Sequence, residues 1–98
     1  MNTSTVTPRT AVQLAKAVTC RRIGDVFFVF DPISGGFYSL DAVAADFWQH
    51  IVRSSPIDQA CAELCETYDG AQQQICGDLV EFVEFFHREG IFTLLPSD

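Results

Sequence analysis

The spacing of hydrophobic residues changes partway along the chain, from short runs typical of strands to the longer periodicity of helices. Residues 18–23 and 26–30 are short apolar stretches on either side of Gly24-Asp25. Runs rich in Val, Ile and Phe that flank a Gly-first dipeptide predict two strands joined by a two-residue turn. The dense turn signal at residues 31–36, followed by Phe37–Leu40, predicts a short third strand and therefore a three-stranded meander.

Two stretches with helical spacing follow the predicted sheet. Asp41 is placed to cap the first helix, in which the apolar residues between Val43 and Val52 recur at intervals of three and four. Ser55 as the cap and Pro56 at the first helical position predict the start of a second helix, and Gly70 predicts its end.

A third helix is predicted from Gln72 to Glu89, with Gly90 as its terminator and an apolar tail at Ile91–Leu95. The polar residues 1–10 predict a disordered or extended N-terminus, and residues 11–98 are long enough for one domain with a single core. The expected fold is α+β and winged-helix-like, with a three-stranded antiparallel sheet followed by a three-helix bundle.

The two-residue turn assigns side chains to the two faces of the sheet, because pairing Ile23 with Val26 sets every later pair. The core face then carries Val18, Cys20, Phe27, Val29, Tyr38 and Leu40. The opposite face carries Thr19, Arg21, Ile23, Val26, Phe28, Phe30, Phe37 and Ser39. This opposite face is too apolar for plain exposure, so we expect residues 11–17 or a second copy of the chain, in a homodimer, to cover it.

The third helix also has more apolar surface than one core needs, since Val80 and Phe85 lie outside its core stripe at about 100° per residue. Either the helix is buried on two sides, or its second apolar side binds a ligand. The third strand is an edge of the sheet, and an edge can accept an extended peptide as an added strand. The predicted peptide-binding residues are Val29, Phe30, Phe37, Tyr38, Ser39, Leu40, Asp78, Glu81, Phe82 and Phe85.

Charge and hydropathy narrow the choice of partner. Residues 54–98 hold nine acidic side chains and one basic side chain, Arg88. A winged-helix shape is also typical of transcriptional regulators, but a DNA-reading helix needs clustered Lys or Arg, so we expect no nucleic-acid partner. No run approaches the roughly 18 apolar residues of a membrane span, and the start MNTSTVTPRT has no apolar signal region. We therefore expect a cytoplasmic protein with no membrane partner.

The cysteines and histidines match no catalytic or metal-binding pattern. The four cysteines form no CxxC pair: Cys20, Cys61, Cys65 and Cys76. Buried free thiols are the expectation, with a metal shared by Cys61 and Cys65 on one helix face as the alternative. The two histidines lie late in separate predicted helices and have no visible catalytic partners. We expect no metal, no cofactor and no enzymatic activity.

The run DVFFVFDPISGGFYSLDAVAADFWQHI, followed later by DLVEFVEFFHREGIF, resembles the PqqD-like family of RiPP precursor recognition elements. The resemblance covers residues 18–92 and includes the Tyr38-x-Leu40 step into a helix with Trp48. One departure is Asp41, where the family commonly has Asn; Asp can still cap the helix.

The resemblance implies a winged-helix-like fold that captures the leader region of a precursor peptide as a strand added to strand three, beside helix three. It implies delivery of the precursor to a separate transglutaminase-like leader peptidase, as in lasso-peptide pathways, or to another modifying enzyme. The alternative within the family is a pyrroloquinoline quinone-type peptide chaperone that serves a radical SAM enzyme.

Overall fold

The computed structural model describes residues 9–53 and 56–95. Within these residues, strands and helices follow one another in a strands-first order that confirms the predicted α+β class. Their bounds are β1 Ala11–Leu14, β2 Thr19–Ile23, β3 Val26–Asp31, β4 Gly36–Leu40, α1 Ala42–Arg53, α2 Ile57–Thr67, α3 Gln72–Arg88 and β5 Phe92–Leu95.

The main sheet is an antiparallel meander in the order β2-β3-β4. Gly24 has a φ of 61° at the first position of the β2–β3 turn, a conformation that glycine adopts without steric cost. Ile23 pairs with Val26, and Val29 pairs with both Cys20 and Tyr38. The predicted division of the sheet into two faces is therefore confirmed.

The core lies between the inner face of this sheet and the helices. Aromatic rings dominate it: the Trp48 ring centroid is 5.3 Å from that of Phe86 and 5.0 Å from that of Phe92. Asp41 caps α1 as predicted, because its Oδ1 accepts a hydrogen bond of 2.9 Å from the Ala44 backbone N–H. The start of α1 is thus fixed directly after β4.

The N-terminal segment does not cover the outer face of the sheet, so that prediction was wrong. Strand β1 pairs instead with β5, with Ala11 opposite Leu95. Val12 is buried in the core, and the Ala15 N–H donates to the Ile91 carbonyl at 2.9 Å. The apolar tail is therefore a strand, and the β1–β5 pair packs against α1 and α3, where Val12 and Phe92 are buried.

Helix boundaries differ slightly from the predictions. Pro56 occupies the cap position before α2 instead of its first turn, and the predicted cap Ser55 lies outside the described residues, as do residues 1–8 of the predicted N-terminal segment. Helix α2 ends at Thr67, before Gly70, because Tyr68 turns away in an extended conformation and its hydroxyl donates to the Asp46 carboxylate. The predicted course of α3, ending before Gly90, is confirmed.

The prediction of four free thiols was wrong for two of them. Cys61 on α2 and Cys76 on α3 are joined in a disulfide with a Cα–Cα distance of 5.5 Å. The two cysteines meet because α2 and α3 pack side by side, which the residue spacing alone did not reveal. Cys20 and Cys65 are free, and burial raises the pKa of the Cys20 thiol.

Candidate functional site

Strand β4 is an edge of the meander, and within the described residues no strand pairs with its outer side. Ile23 and Val26 flank a two-residue turn, so they form a hydrogen-bonded pair, and bonded pairs alternate along antiparallel strands. By this alternation, Tyr38 and Leu40 direct their backbone N–H and C=O groups toward β3. Phe37 and Ser39 direct theirs outward. The open edge therefore presents the backbone groups of these two residues.

The turn before β4 is held by side chains. Asp31 is buried, and its two carboxylate oxygens accept hydrogen bonds from the Ile33 N–H at 3.0 Å and the Ser34 hydroxyl at 2.9 Å. The Ser34 hydroxyl in turn accepts from the Gly36 N–H at 3.1 Å. Such side-chain bonds to nearby backbone fix a turn locally. The start of the edge strand is thus held in place without a ligand.

Tyr38 connects the edge strand to the end of α3. Its hydroxyl donates to Glu89 Oε1 at 2.9 Å, and its ring centroid lies 6.1 Å from that of Phe85 and 5.2 Å from that of Phe86. Burial, followed by the bond to the Glu89 carboxylate, raises the pKa of the Tyr38 hydroxyl. A Cβ at position 36 would lie 2.8 Å from that hydroxyl, so any side chain larger than that of Gly36 would displace the end of the tyrosine.

Helix α3 forms the second wall beside the edge. Phe85 is 40% exposed although its ring contacts Phe86 at a centroid distance of 5.0 Å. Asp78 and Glu81 are exposed on the same helix, and the Gln74 side-chain amide donates to Asp78 Oδ1 at 3.2 Å. The wall therefore combines one exposed aromatic ring with carboxylates. We call the open edge of β4, Tyr38 and the exposed side of α3 the strand–helix groove.

Two of the predicted site residues have their side chains in the core, and a third, Phe82, is partly buried against it. Val29 is fully buried, and Leu40 is buried beneath α1. The Phe82 ring packs against Phe47 and Phe86, at centroid distances of 5.8 and 5.1 Å. Val29 also lies on the central strand, between β2 and β4, so it is not at an open edge. These residues support the groove from behind, and a contact with a ligand stays a prediction for them.

Phe30 and Phe37 lie on the opposite, outer face of the sheet. They are 41% and 62% exposed, and the Phe37 ring stacks on Phe28 at a centroid distance of 5.4 Å. This outer face forms a shallow pocket of about 470 Å³, lined by Thr19, Cys20, Arg21, Ile23, Phe28, Phe30 and Phe37. It is separate from the strand–helix groove because the sheet lies between them. Homodimer formation through this face stays a prediction.

Glu89 was missed as a site residue. Its contact with Tyr38 joins residues 51 positions apart, which local patterns do not reveal. One signal was available: Glu89 follows Phe85 by four residues, so both lie on the same side of the helix. A residue one turn beyond an exposed aromatic was therefore a reasonable candidate for the same wall.

The histidines bind backbone carbonyls. His50 Nδ1 lies 2.8 Å from the Asp46 carbonyl oxygen, and its Nε2 lies 3.9 Å from a Glu63 carboxylate oxygen. His87 Nδ1 lies 3.2 Å from the Phe92 carbonyl oxygen. In residues 9–53 and 56–95, no helix is long and apolar enough to cross a membrane.

Comparisons with known proteins place this geometry among related folds. The sequence profile of PqqD, described as coenzyme PQQ synthesis protein D, matches residues 27–91. The structure "TbiB1 in Complex with the TbiA(beta) Leader Peptide" is similar with a TM-score of 0.77 and 19% identity, and the match covers 88% of this chain and 99% of that one. No curated protein sequence matches.

A second solved structure, "Lasso peptide synthetase B1 complexed with the leader peptide", gives the same result. Its TM-score is 0.75 at 18% identity, and the match covers 87% of this chain and 98% of that one. At sequence identities this low, the structural similarity shows a shared fold and nothing more. The coverage is nearly complete in both comparisons, so the shared fold includes both the sheet and the helices that form the strand–helix groove.

Proposed function

The chain belongs to the PqqD family, and on that premise we propose that it is a non-catalytic binding protein for the leader region of a ribosomally made precursor peptide. The leader adds to the sheet as an extra strand along β4, beside α3. The observation that carries this proposal is the open edge, where the backbone groups of Phe37 and Ser39 point outward. The backbone of an added strand would form hydrogen bonds with those groups.

The side chains around the edge support selection among peptides. In an added strand, alternate side chains point to opposite faces of the sheet. Those on the Tyr38 side meet the exposed Phe85 ring and the carboxylates of Asp78 and Glu81. We therefore expect a leader with apolar residues on this side and with basic or neutral residues next to α3.

The solved structures with this fold support a leader peptide as the ligand, because both are complexes with a leader peptide and one is a lasso peptide synthetase B1. We propose the same place for this chain in a lasso-type pathway. It would bind the precursor and deliver it to a separate leader peptidase of the transglutaminase-like class, or to another modifying enzyme. The chain supplies binding in this scheme, and the partner supplies the chemistry.

The second candidate is a peptide chaperone for pyrroloquinoline quinone synthesis, working with a radical SAM enzyme. The observation that favours it is the description of the matching family profile, which refers to coenzyme PQQ synthesis. Both candidates use the same groove. They differ in the precursor, so identifying a short precursor gene beside the gene of this chain would distinguish them.

Calorimetric titration of the protein with the leader region of that neighbouring precursor tests binding, with a scrambled peptide of equal composition as the control. Ser39→Pro removes an outward N–H and places a ring at the edge, while the β3–β4 hydrogen bonds remain. We expect affinity to fall at least about tenfold, since one bond is lost and a peptide carbonyl is left unpaired. Ser39→Ala keeps the N–H and should bind as the wild type does.

Amide hydrogen exchange tests the binding mode independently. In the free protein, the Phe37 and Ser39 amides should exchange fast, whereas the Tyr38 and Leu40 amides, bonded to β3, should exchange slowly. Leader binding should slow the first pair. Binding without this protection would contradict strand addition, and equal affinity for the scrambled peptide would contradict leader recognition.

A further inference from the structure

Three cysteines outside the strand–helix groove lie together where α2 packs against α3. The Sγ atoms of Cys61, Cys65 and Cys76 all lie within 4.8 Å of one another. Cys61 is 4% exposed and bonded to Cys76, whereas Cys65 is a free and partly exposed thiol. A free thiol therefore lies next to a disulfide, which is the arrangement from which thiol–disulfide exchange begins.

We infer that these cysteines form an exchange site in which the α2–α3 bridge moves between two partners on α2. The Cys65 thiolate attacks Cys76 Sγ, so that a Cys65–Cys76 bond forms as the Cys61–Cys76 bond breaks. The bonding electron pair leaves with the Cys61 sulfur, which takes up a proton equivalent to the one Cys65 lost. The step is balanced and consumes no external oxidant.

Helix geometry selects Cys76 as the sulfur attacked. Attack on Cys61 would bond two cysteines four residues apart on one helix, whose Cβ atoms are about 5–6 Å apart. A disulfide holds its Cβ atoms at about 3.5–4.5 Å, so that bond would distort α2. Attack on Cys76 links α2 to α3 again. The released Cys61 thiol stays in the core, where a free cysteine packs as a small apolar residue.

The site differs from the groove in both place and chemistry. Cys76 nevertheless precedes Asp78 by two residues on α3, so either form of the bridge ties the start of the groove's second wall to α2. A bridge with two alternative partners keeps this connection when either cysteine of α2 is lost or modified.

Disulfide mapping tests the exchange directly in the full chain. The protein is equilibrated at mildly alkaline pH with a glutathione redox pair, its free thiols are alkylated, and it is cut with trypsin and a Glu-specific protease. Cleavage after Arg53, Glu63, Glu66 and Glu81 puts the three cysteines in separate peptides. The Cys20 peptide, released by cuts after Lys16 and Arg21, should be alkylated throughout and serves as the internal control.

We expect wild-type protein to yield both the Cys61–Cys76 and the Cys65–Cys76 linked peptides. Cys61→Ala should yield Cys65–Cys76 alone, and Cys65→Ala should yield Cys61–Cys76 alone. The proposal is overturned if wild-type protein shows only Cys61–Cys76, or no α2–α3 bridge at all. It is equally overturned if folded Cys61→Ala protein, checked by circular dichroism, keeps Cys65 and Cys76 fully alkylated. The wild-type result stands even if a variant fails to fold.

Discussion

Replacing Phe85 by alanine removes the exposed aromatic ring of the strand–helix groove and should weaken leader binding about 30-fold. A phenylalanine side chain buries about 200 Å² when fully covered. Phe85 is 40% exposed in the free protein, which leaves about 80 Å² for a ligand to cover. At about 25 cal/mol per Å², this area is worth about 2 kcal/mol, or about 30-fold in the dissociation constant.

The assay is calorimetric titration of the leader peptide into wild-type, Phe85→Ala and Val52→Ala proteins. Val52 is the matched control, because it is also 40% exposed but lies on α1 beside Trp48 and Arg53, away from the groove. Val52→Ala should bind the leader as the wild type does. Urea unfolding of each protein in the absence of peptide separates a loss of affinity from a loss of stability.

Two results would refute the reasoning. A dissociation constant for Phe85→Ala within about twofold of the wild-type value would mean that the leader does not cover this ring. An equal loss in Val52→Ala would mean that any exposed apolar side chain captures the peptide, so the groove would have no special role.

Three further predictions concern stability. Leu79→Ala should lower the free energy of unfolding by about 2–5 kcal/mol in a urea titration, because Leu79 is fully buried; a change below about 1 kcal/mol would contradict its place in the core. The hydrogen bond to Asp46 raises the pKa of Tyr68 from 10.0 to about 12. The stability that this hydrogen bond contributes should therefore be complete below pH 10 and lost as the pH rises toward 12. In Tyr68→Phe, the free energy of unfolding should fall less steeply over this pH range. Equal pH dependence of the free energy of unfolding in the two proteins would argue against this role. Cys76→Ala removes a disulfide that joins residues 15 positions apart, which is worth about 3 kcal/mol. Measured without reductant, the melting temperature of the variant should be lower than that of the wild type by at least about 10 °C. Equal melting temperatures would show that the disulfide adds no stability.

The sheet could be predicted from the sequence because one local feature determines much of it. The Gly24-Asp25 turn sets the pairing of Ile23 with Val26, and strand periodicity then assigns each later side chain to a face. The order of the strands in the meander likewise identified β4 as an edge. Helix α3 could also be predicted from the sequence, since its apolar spacing and the glycine that follows it are local signals.

What the sequence did not reveal depends on contacts between distant segments. Strands β1 and β5 have four residues each and lie at opposite ends of the described chain, so neither gives a periodic signal of its own. The Cys61–Cys76 bond depends on how two helices pack. The side of the groove at Tyr38 likewise depends on contacts of this residue with Phe85 and Glu89, which lie far away in the sequence.

The pairing of β1 with β5 has a consequence for how this domain can be combined with others. Ala11 lies directly opposite Leu95, so the two ends of the described domain leave it side by side. They belong to the β1–β5 sheet, whereas the open edge of β4 belongs to the three-stranded sheet. A domain with adjacent ends can be inserted into a loop of a larger enzyme through short linkers without being stretched. The architecture is therefore suited to work either as a free protein or as a module built into a larger one.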